Sequence, residues 1–172
     1  MTSLFSDFYR SLDPDPGIRG RQFEHFVKWF LTADPEWSTQ VDQVWLWHEY
    51  PDRWGADCGI DLVFRHGDRF YIVDWKSNWL GNRAEEYGPE VLRTAMVRQF
   101  YVLQYHLYAA ALHAHLRLRV PGYRYETHFG GVYYVFLRGL DPARPELGVF
   151  RDRPAAGLIE QLSQSIFAPP TA

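Results

Sequence analysis

The stretch Gly59-Ile60-Asp61-Leu62-Val63-Phe64-Arg65-His66-Gly67-Asp68-Arg69-Phe70-Tyr71-Ile72-Val73-Asp74-Trp75-Lys76 decides how this chain folds. Two runs rich in β-branched and aromatic residues, Ile60 to Arg65 and Arg69 to Lys76, flank His66-Gly67-Asp68, a turn signal. The reading is a β-hairpin. With Gly67-Asp68 as a two-residue turn, His66 faces Arg69, and counting back along both strands sets Asp61 directly opposite Asp74. A four-residue loop keeps that register, whereas a three-residue loop sends the two aspartates to opposite faces.

In the favoured register the two carboxylates share a face with Cβ atoms about 5 Å apart, and like charges placed opposite one another are destabilising. Something positive is expected between them. Strand alternation puts Lys76 on the face of Asp74, while Tyr71, Val73 and Trp75 point the other way. Two carboxylates and an ammonium beside a loop offer oxygen ligands that suit a hard cation such as Mg²⁺ or Mn²⁺. The chemistry that uses such a set is metal-assisted phosphodiester hydrolysis: the cation polarises the phosphoryl oxygen and helps deprotonate water, and Lys76 positions that water or stabilises the developing charge. The same three residues also describe a surface hairpin with an Asp–Lys contact worth little energy. On physics alone the two readings weigh about evenly.

Outward from the hairpin, Phe23, Phe26, Val27, Phe30 and Leu31 recur at helical spacing from Gly20 until Asp34-Pro35. The first nineteen residues, with Asp13-Pro14-Asp15-Pro16-Gly17, read as a loose lead-in. Val41 to Tyr50 reads as a strand stopped by Pro51. Pro89 to about Arg119 reads as one long helix, with Leu92, Ala95, Met96, Leu103, Leu107, Ala110 and Ala111 as its buried stripe. A strand over Gly130 to Leu140 and an amphipathic helix over Ala155 to Phe167 follow. The order of elements implies an α/β fold, a central mixed sheet flanked by helices.

Composition bounds the rest. The chain has 172 residues, 47% of them hydrophobic and 17% aromatic, enough for one domain with a real core, and disorder and coiled coil are poor readings. No apolar run reaches the roughly 18 residues of a membrane span, and the N-terminus lacks a basic region followed by an apolar one, so a cytoplasmic, unprocessed protein is expected. A lone cysteine, Cys58, precludes an internal disulfide and reads as a small buried residue. A net charge of −3 does not announce a nucleic-acid partner, so any phosphate recognition must be local. Sixteen of the 18 basic residues are arginine, which suits bidentate phosphate contacts.

The run Gly59 to His66, then Asp74-Trp75-Lys76-Ser77-Asn78-Trp79-Leu80-Gly81, resembles the C-terminal nuclease domain of the RecB helicase-nuclease subunit, within the PD-(D/E)xK superfamily. The likeness continues through Leu103 to Tyr108 and His128 to Gly139, and reaches Arg153 to Ile159, spanning Gly59 to about Phe167. It implies a restriction-endonuclease-like core over 20–172 as a single nuclease domain. Asp61 and Asp74 would bind catalytic Mg²⁺, the backbone carbonyl of Trp75 would be a further ligand, and Lys76 would be the catalytic lysine. Gln104 and Tyr108 match the Gln-x-x-x-Tyr signature of this family, and their i, i+4 spacing puts both on one helix face. Their implied role is to hold the DNA strand or the lysine, with helix packing as the alternative, stronger for Tyr108. Val102 departs from the Asp usual in that run. A Gly-x-x-x-His in the family's first helix is here Gly20-Arg21-Gln22-Phe23-Glu24, so Glu24 would substitute as an oxygen ligand, unless Glu24 and Lys28 are an ordinary i, i+4 ion pair.

The first third is similar to a second branch, the restriction-endonuclease-like domains of some large helicase and restriction proteins, through Val44-Trp45-Leu46-Trp47, Pro51 to Gly55 and Asp57 to Asp61. There the first-helix Glu is the expected acid, which adds weight to Glu24. Together these imply a Mg²⁺-dependent DNA nuclease of RecB-like exonuclease or repair type. A restriction-type endonuclease and a non-catalytic DNA-binding or docking module are the alternatives. The sequence has no P-loop, so the motor of RecB-type enzymes is not in this chain, and a helicase or repair-complex partner is implied.

The remaining residues take plainer readings. His106, His113 and His115 lack zinc spacing and read as solvated helix residues. His66 and His128 have no identifiable base or nucleophile partner. Trp45, Trp47, Trp75 and Trp79 read as core or sheet-face packing, although Trp79 and Tyr87 lie where they could stack on an unpaired base. Arg83, Arg93 and Arg98 are candidate phosphate contacts, each more simply a solvated side chain. Gly130-Gly131 is not a phosphate loop.

Overall fold

The computed structural model describes residues 11–35, 37–49 and 60–167; the expected loop through Arg53 to Asp57, and Cys58 with it, lie outside the described residues, as does most of the expected lead-in. Helix α1 spans Pro16–Ala33, starting four residues before the expected Gly20. The reason is a cap: the Asp15 carboxylate accepts hydrogen bonds from the N–H groups of Gly17 and Ile18 at 2.9 and 3.0 Å, and Pro16 fits a first turn that needs no donor. Its expected apolar stripe holds in part: Phe23 and Val27 are buried against Val44, Leu62 and Val73, Phe26 and Leu31 are partly buried beside them, and Phe30 is exposed.

Five strands follow in the order β1 (Gln43–Leu46), β2 (Leu62–His66), β3 (Arg69–Lys76), β4 (Phe129–Phe136) and β5 (Val149–Asp152), which is also their order in the sheet. All neighbours are antiparallel except β3 and β4, which run parallel. The sheet is mixed, as expected. The first strand ends sooner than the sequence implies, because Trp47–Glu49 turns into a 3-10 helix. The hairpin pairs His66 with Arg69 and Leu62 with Val73, so Asp61 reaches the register position opposite Asp74, one residue beyond the ladder. A bulge sits where Phe70 faces Phe129 and Tyr71 faces Gly131. Gly130 is the extra residue, and a Cβ there would meet the Tyr71 ring at 2.1 Å.

Parallel neighbours need a crossover, here α2 (Pro89–Arg98), α3 (Tyr101–Arg119) and the single turn α4 (Tyr125–His128). The expected single helix is two. Phe100 adopts φ 57°, a left-handed conformation that ends α2 and restarts the chain as α3. The restart resets the buried face: Leu103 and Leu107 are 57% and 39% exposed, and Tyr105, Tyr108, Ala109, Leu112 and Leu116 are buried instead. Helices α2, α3 and the terminal α5 (Ala156–Phe167) cover one face of the sheet, and α1 the other. Strand β5 was not expected; four residues after a Pro-rich loop carry too little alternation to register. Among the described residues no helix is long and apolar enough to cross a membrane.

Candidate active site

Strand β3 delivers Asp74 and Lys76 to its C-terminal end, flanked by β2 and β4. Alternation turns both toward α3, where Ile72 and Phe70 are packed. Asp74 is 2% exposed, and its neighbour across the parallel ladder is the fully buried Tyr134. The Lys76 Nζ lies 2.5 Å from Asp74 Oδ1 and donates to Gln104 Oε1 at 3.2 Å. The same ammonium sits 4.1 Å from the Tyr101 ring centroid and 5.0 Å from that of Tyr134. Gln104 is a hub: its Oε1 also accepts from the Tyr134 hydroxyl at 2.9 Å, and its Nε2 donates to the Tyr108 hydroxyl at 2.7 Å. Two donors converging on one amide oxygen fix which way the amide faces.

Asp61 joins from the other strand. Its Oδ2 accepts the backbone N–H of Trp75, the residue between Asp74 and Lys76, at 2.7 Å. Burial first, and then the charge of Asp61, push the Asp74 carboxyl up to about 7 against the pull of Lys76. Burial and then the charge of Asp74 likewise raise the Tyr134 hydroxyl. The expected positive charge is therefore present as Lys76, but it does not compensate both acids. Oxygen donors with surplus negative charge, one of them buried, fit a hard divalent cation.

Asp61 also opens onto a cleft of about 440 Å³ between α1 and the turn after β4, lined by Arg19, Glu24, Ser77 and Arg138 among others. Glu24 thus shares a cleft with Asp61, and Lys28 pairs with Glu49. Among the described residues no three His, Cys, Asp or Glu side chains gather as a ready cation cage, so the structure brings Asp61, Asp74, Lys76, Gln104 and Tyr108 together and leaves Glu24 on the cleft wall.

Sequence reasoning missed Tyr101, Tyr134 and Arg138. The signals were there in part: Tyr101 precedes Gln104 by three residues on one helix, and Tyr134 follows from the β3–β4 register once the strands are known to be parallel. Several plainer readings change. His113 and His115 are buried rather than solvated, and His113 Nε2 meets Glu160 Oε2 at 2.8 Å. His66 Nδ1 contacts the carbonyl of Gln40. Tyr87 is buried, donating to Asn78 O and accepting from Leu80 N–H, so it offers no stacking face, whereas Trp79 is 65% exposed rather than packed. Arg83 and Arg93 pair with Glu86 and Glu90 on their own turns.

Residues 32–76 match a family described as restriction endonuclease, covering the end of α1, β1 and the hairpin. The RecBCD enzyme subunit RecB of Escherichia coli (strain K12) is 51% identical over 105 residues, 61% of this chain. The chain is RecB-like, with a PD-(D/E)xK fold. The RecB of Haemophilus influenzae is 48% identical over 103 residues, and that of Buchnera aphidicola subsp. Baizongia pistaciae 33% identical over 177 aligned positions, 94% of the chain. The chain spans 9% of the Escherichia coli RecB, 8% of the Haemophilus protein and 15% of the Buchnera one. Within this RecB-like site the departing Val102 is half-buried against the main core, and its carbonyl meets His106 Nδ1 at 2.7 Å.

Proposed function

We propose that this chain is a Mg²⁺-dependent DNA nuclease that hydrolyses phosphodiester bonds, acting in DNA repair in the manner of RecB. The observation that carries the reading is the buried Asp74 beside Asp61 and Lys76, an arrangement that costs stability and has no packing purpose. Asp61 and Asp74, with the main-chain carbonyl of Trp75 and Glu24 from the cleft wall, are the groups that would hold Mg²⁺ or Mn²⁺. When bound, the ion supplies Lewis acidity toward the phosphoryl oxygen and neutralises developing charge.

The chain's own groups do the rest. Asp74 and Gln104 hold the Lys76 ammonium, and the rings of Tyr101 and Tyr134 lie against it. That leaves Lys76 able to hydrogen-bond the attacking water or the charge building on the phosphoryl oxygens. Water adds to phosphorus, the bond to the leaving sugar oxygen breaks, and that oxygen takes up a proton. Tyr108 steadies Gln104 through its hydroxyl.

Incubation with end-labelled linear, circular and single-stranded DNA, with and without Mg²⁺, tests the reading. Mg²⁺-dependent loss of linear DNA that Asp61→Ala abolishes is expected, and undiminished cutting by that variant rejects it. Cutting of circular DNA would favour a restriction-type endonuclease, a second reading supported by the restriction-endonuclease match over 32–76. Because the relatives are named as subunits of the RecBCD enzyme, we place this domain in a helicase-coupled repair assembly that feeds it DNA.

A further inference from the structure

We propose that Arg138 is a phosphate-binding residue that positions the DNA strand across the Asp61 side of the site, an inference that rests on the nuclease reading. Arg138 lies in the 3-10 turn Leu137–Gly139 directly after β4. Since β4 runs parallel to β3 with Phe136 beside Lys76, both strands end on the same side of the sheet, and the turn comes down next to the site. Two contacts fix it there. Gly139 packs so closely on Tyr87 that a Cβ would meet the Tyr87 Cβ at 2.2 Å, and Arg138 Nε donates to the Ser77 carbonyl at 3.1 Å. The first is why glycine is needed at that position; the second aims the guanidinium.

The other cations around the cleft are already engaged. Arg19 donates to the carbonyls of Asp13 and Pro14 at 2.8 and 2.5 Å, and Lys76 is held by Asp74 and Gln104. Arg138 is exposed, lines the cleft shared with Asp61 and Glu24, spends one N–H on Ser77, and has no other hydrogen bond among the described residues, which leaves its two terminal nitrogens available. A guanidinium presenting a free fork beside carboxylates suits a backbone phosphate, which it binds bidentately. In a chain of net charge −3 such a local cation supplies what bulk charge does not.

The test compares Arg138→Ala, Arg138→Gln and Arg138→Lys with the wild type. Binding of a labelled single-stranded oligonucleotide is followed by fluorescence anisotropy over a salt series with Ca²⁺ replacing Mg²⁺, and KM and kcat of cleavage are measured with Mg²⁺. Glutamine keeps an N–H for the Ser77 carbonyl but has no charge. Arg138→Ala and Arg138→Gln should both raise Kd and KM roughly tenfold, with kcat falling less, and lower the slope of log affinity against log salt by about 1. Arg138→Lys should keep the slope. If Arg138→Gln binds as the wild type with an unchanged slope, Arg138 merely anchors the turn, and the inference is overturned while the nuclease reading stands. A fall in kcat at constant KM overturns it too. A wild type that neither binds nor cuts DNA overturns both.

Discussion

Two clusters of ionisable side chains, one between α3 and α5 and one at the end of β3, are built to opposite ends. Between α3 and α5, Glu160 meets His113, Gln164 and Arg117, each at 2.8 Å, and the His113 hydrogen bond leads the others in holding its carboxyl below the usual range. At the end of β3, Asp74 has Lys76 but also Asp61, and burial holds its carboxyl far above that range. The first cluster satisfies its charges and ties two helices together. The second leaves negative charge uncompensated, which a folded protein tolerates where an incoming cation or substrate completes the site.

Neutralising each cluster therefore has opposite consequences. The largest effect belongs to Asp74→Asn, which should lower Mg²⁺-dependent cleavage by at least about 10²–10³-fold while leaving the metal-free protein as stable as the wild type or more so. A variant that loses both cleavage and fold would mean that Asp74 is structural after all.

Gln104→Ala comes next. It strips the Lys76 ammonium and the Tyr134 hydroxyl of their shared acceptor, and we expect about a 10–100-fold drop in kcat, as for loss of groups that orient catalytic ligands. Near-normal kcat would show that Tyr101 and Asp74 alone orient the lysine.

The pH dependence of stability sharpens the comparison. Without divalent ions, Asp74 keeps its proton up to about 7 in the folded state but releases it near 3.8 when unfolded. Its protonation therefore favours folding fully below the lower value, and that benefit is lost as pH rises through the higher one. Urea midpoints in chelator should fall as pH rises from about 4 to about 7 and level off above that, and Asp74→Asn should flatten the fall. Identical pH profiles for wild type and variant would remove the burial argument.

On the other side, His113→Leu should cost about 1 kcal/mol by removing one of the three partners of Glu160 between α3 and α5, with kcat per folded molecule unchanged. The smallest expected change is Asp15→Ala, about 1 kcal/mol for a lost cap, read as a modest fall in melting temperature.

The same contrast explains what was legible in advance. The hairpin was readable because strand period and turn length are local, so the facing of Asp61, Asp74 and Lys76 follows by counting from Gly67-Asp68. The resemblance to RecB supplied Gln104 and Tyr108, which no local pattern ties to Lys76. The break at Phe100 was invisible: Arg98-Gln99-Phe100 contains neither glycine nor proline, the residues that ordinarily signal such a break, and a left-handed phenylalanine is not a local preference. With the break unseen, the buried stripe was phased wrongly at Leu103 and Leu107, and His113 was assigned to solvent.

By itself the sequence determined the register of two neighbouring strands and the facing of their acids, because each depends on a fixed period and a short turn. Only the tertiary structure decided that β4 lies parallel beside β3, that Tyr101 and Tyr134 enclose the lysine, and that Arg138 overlooks the cleft. Those placements depend on contacts between segments far apart in the chain, whose geometry is set by packing rather than by any local preference.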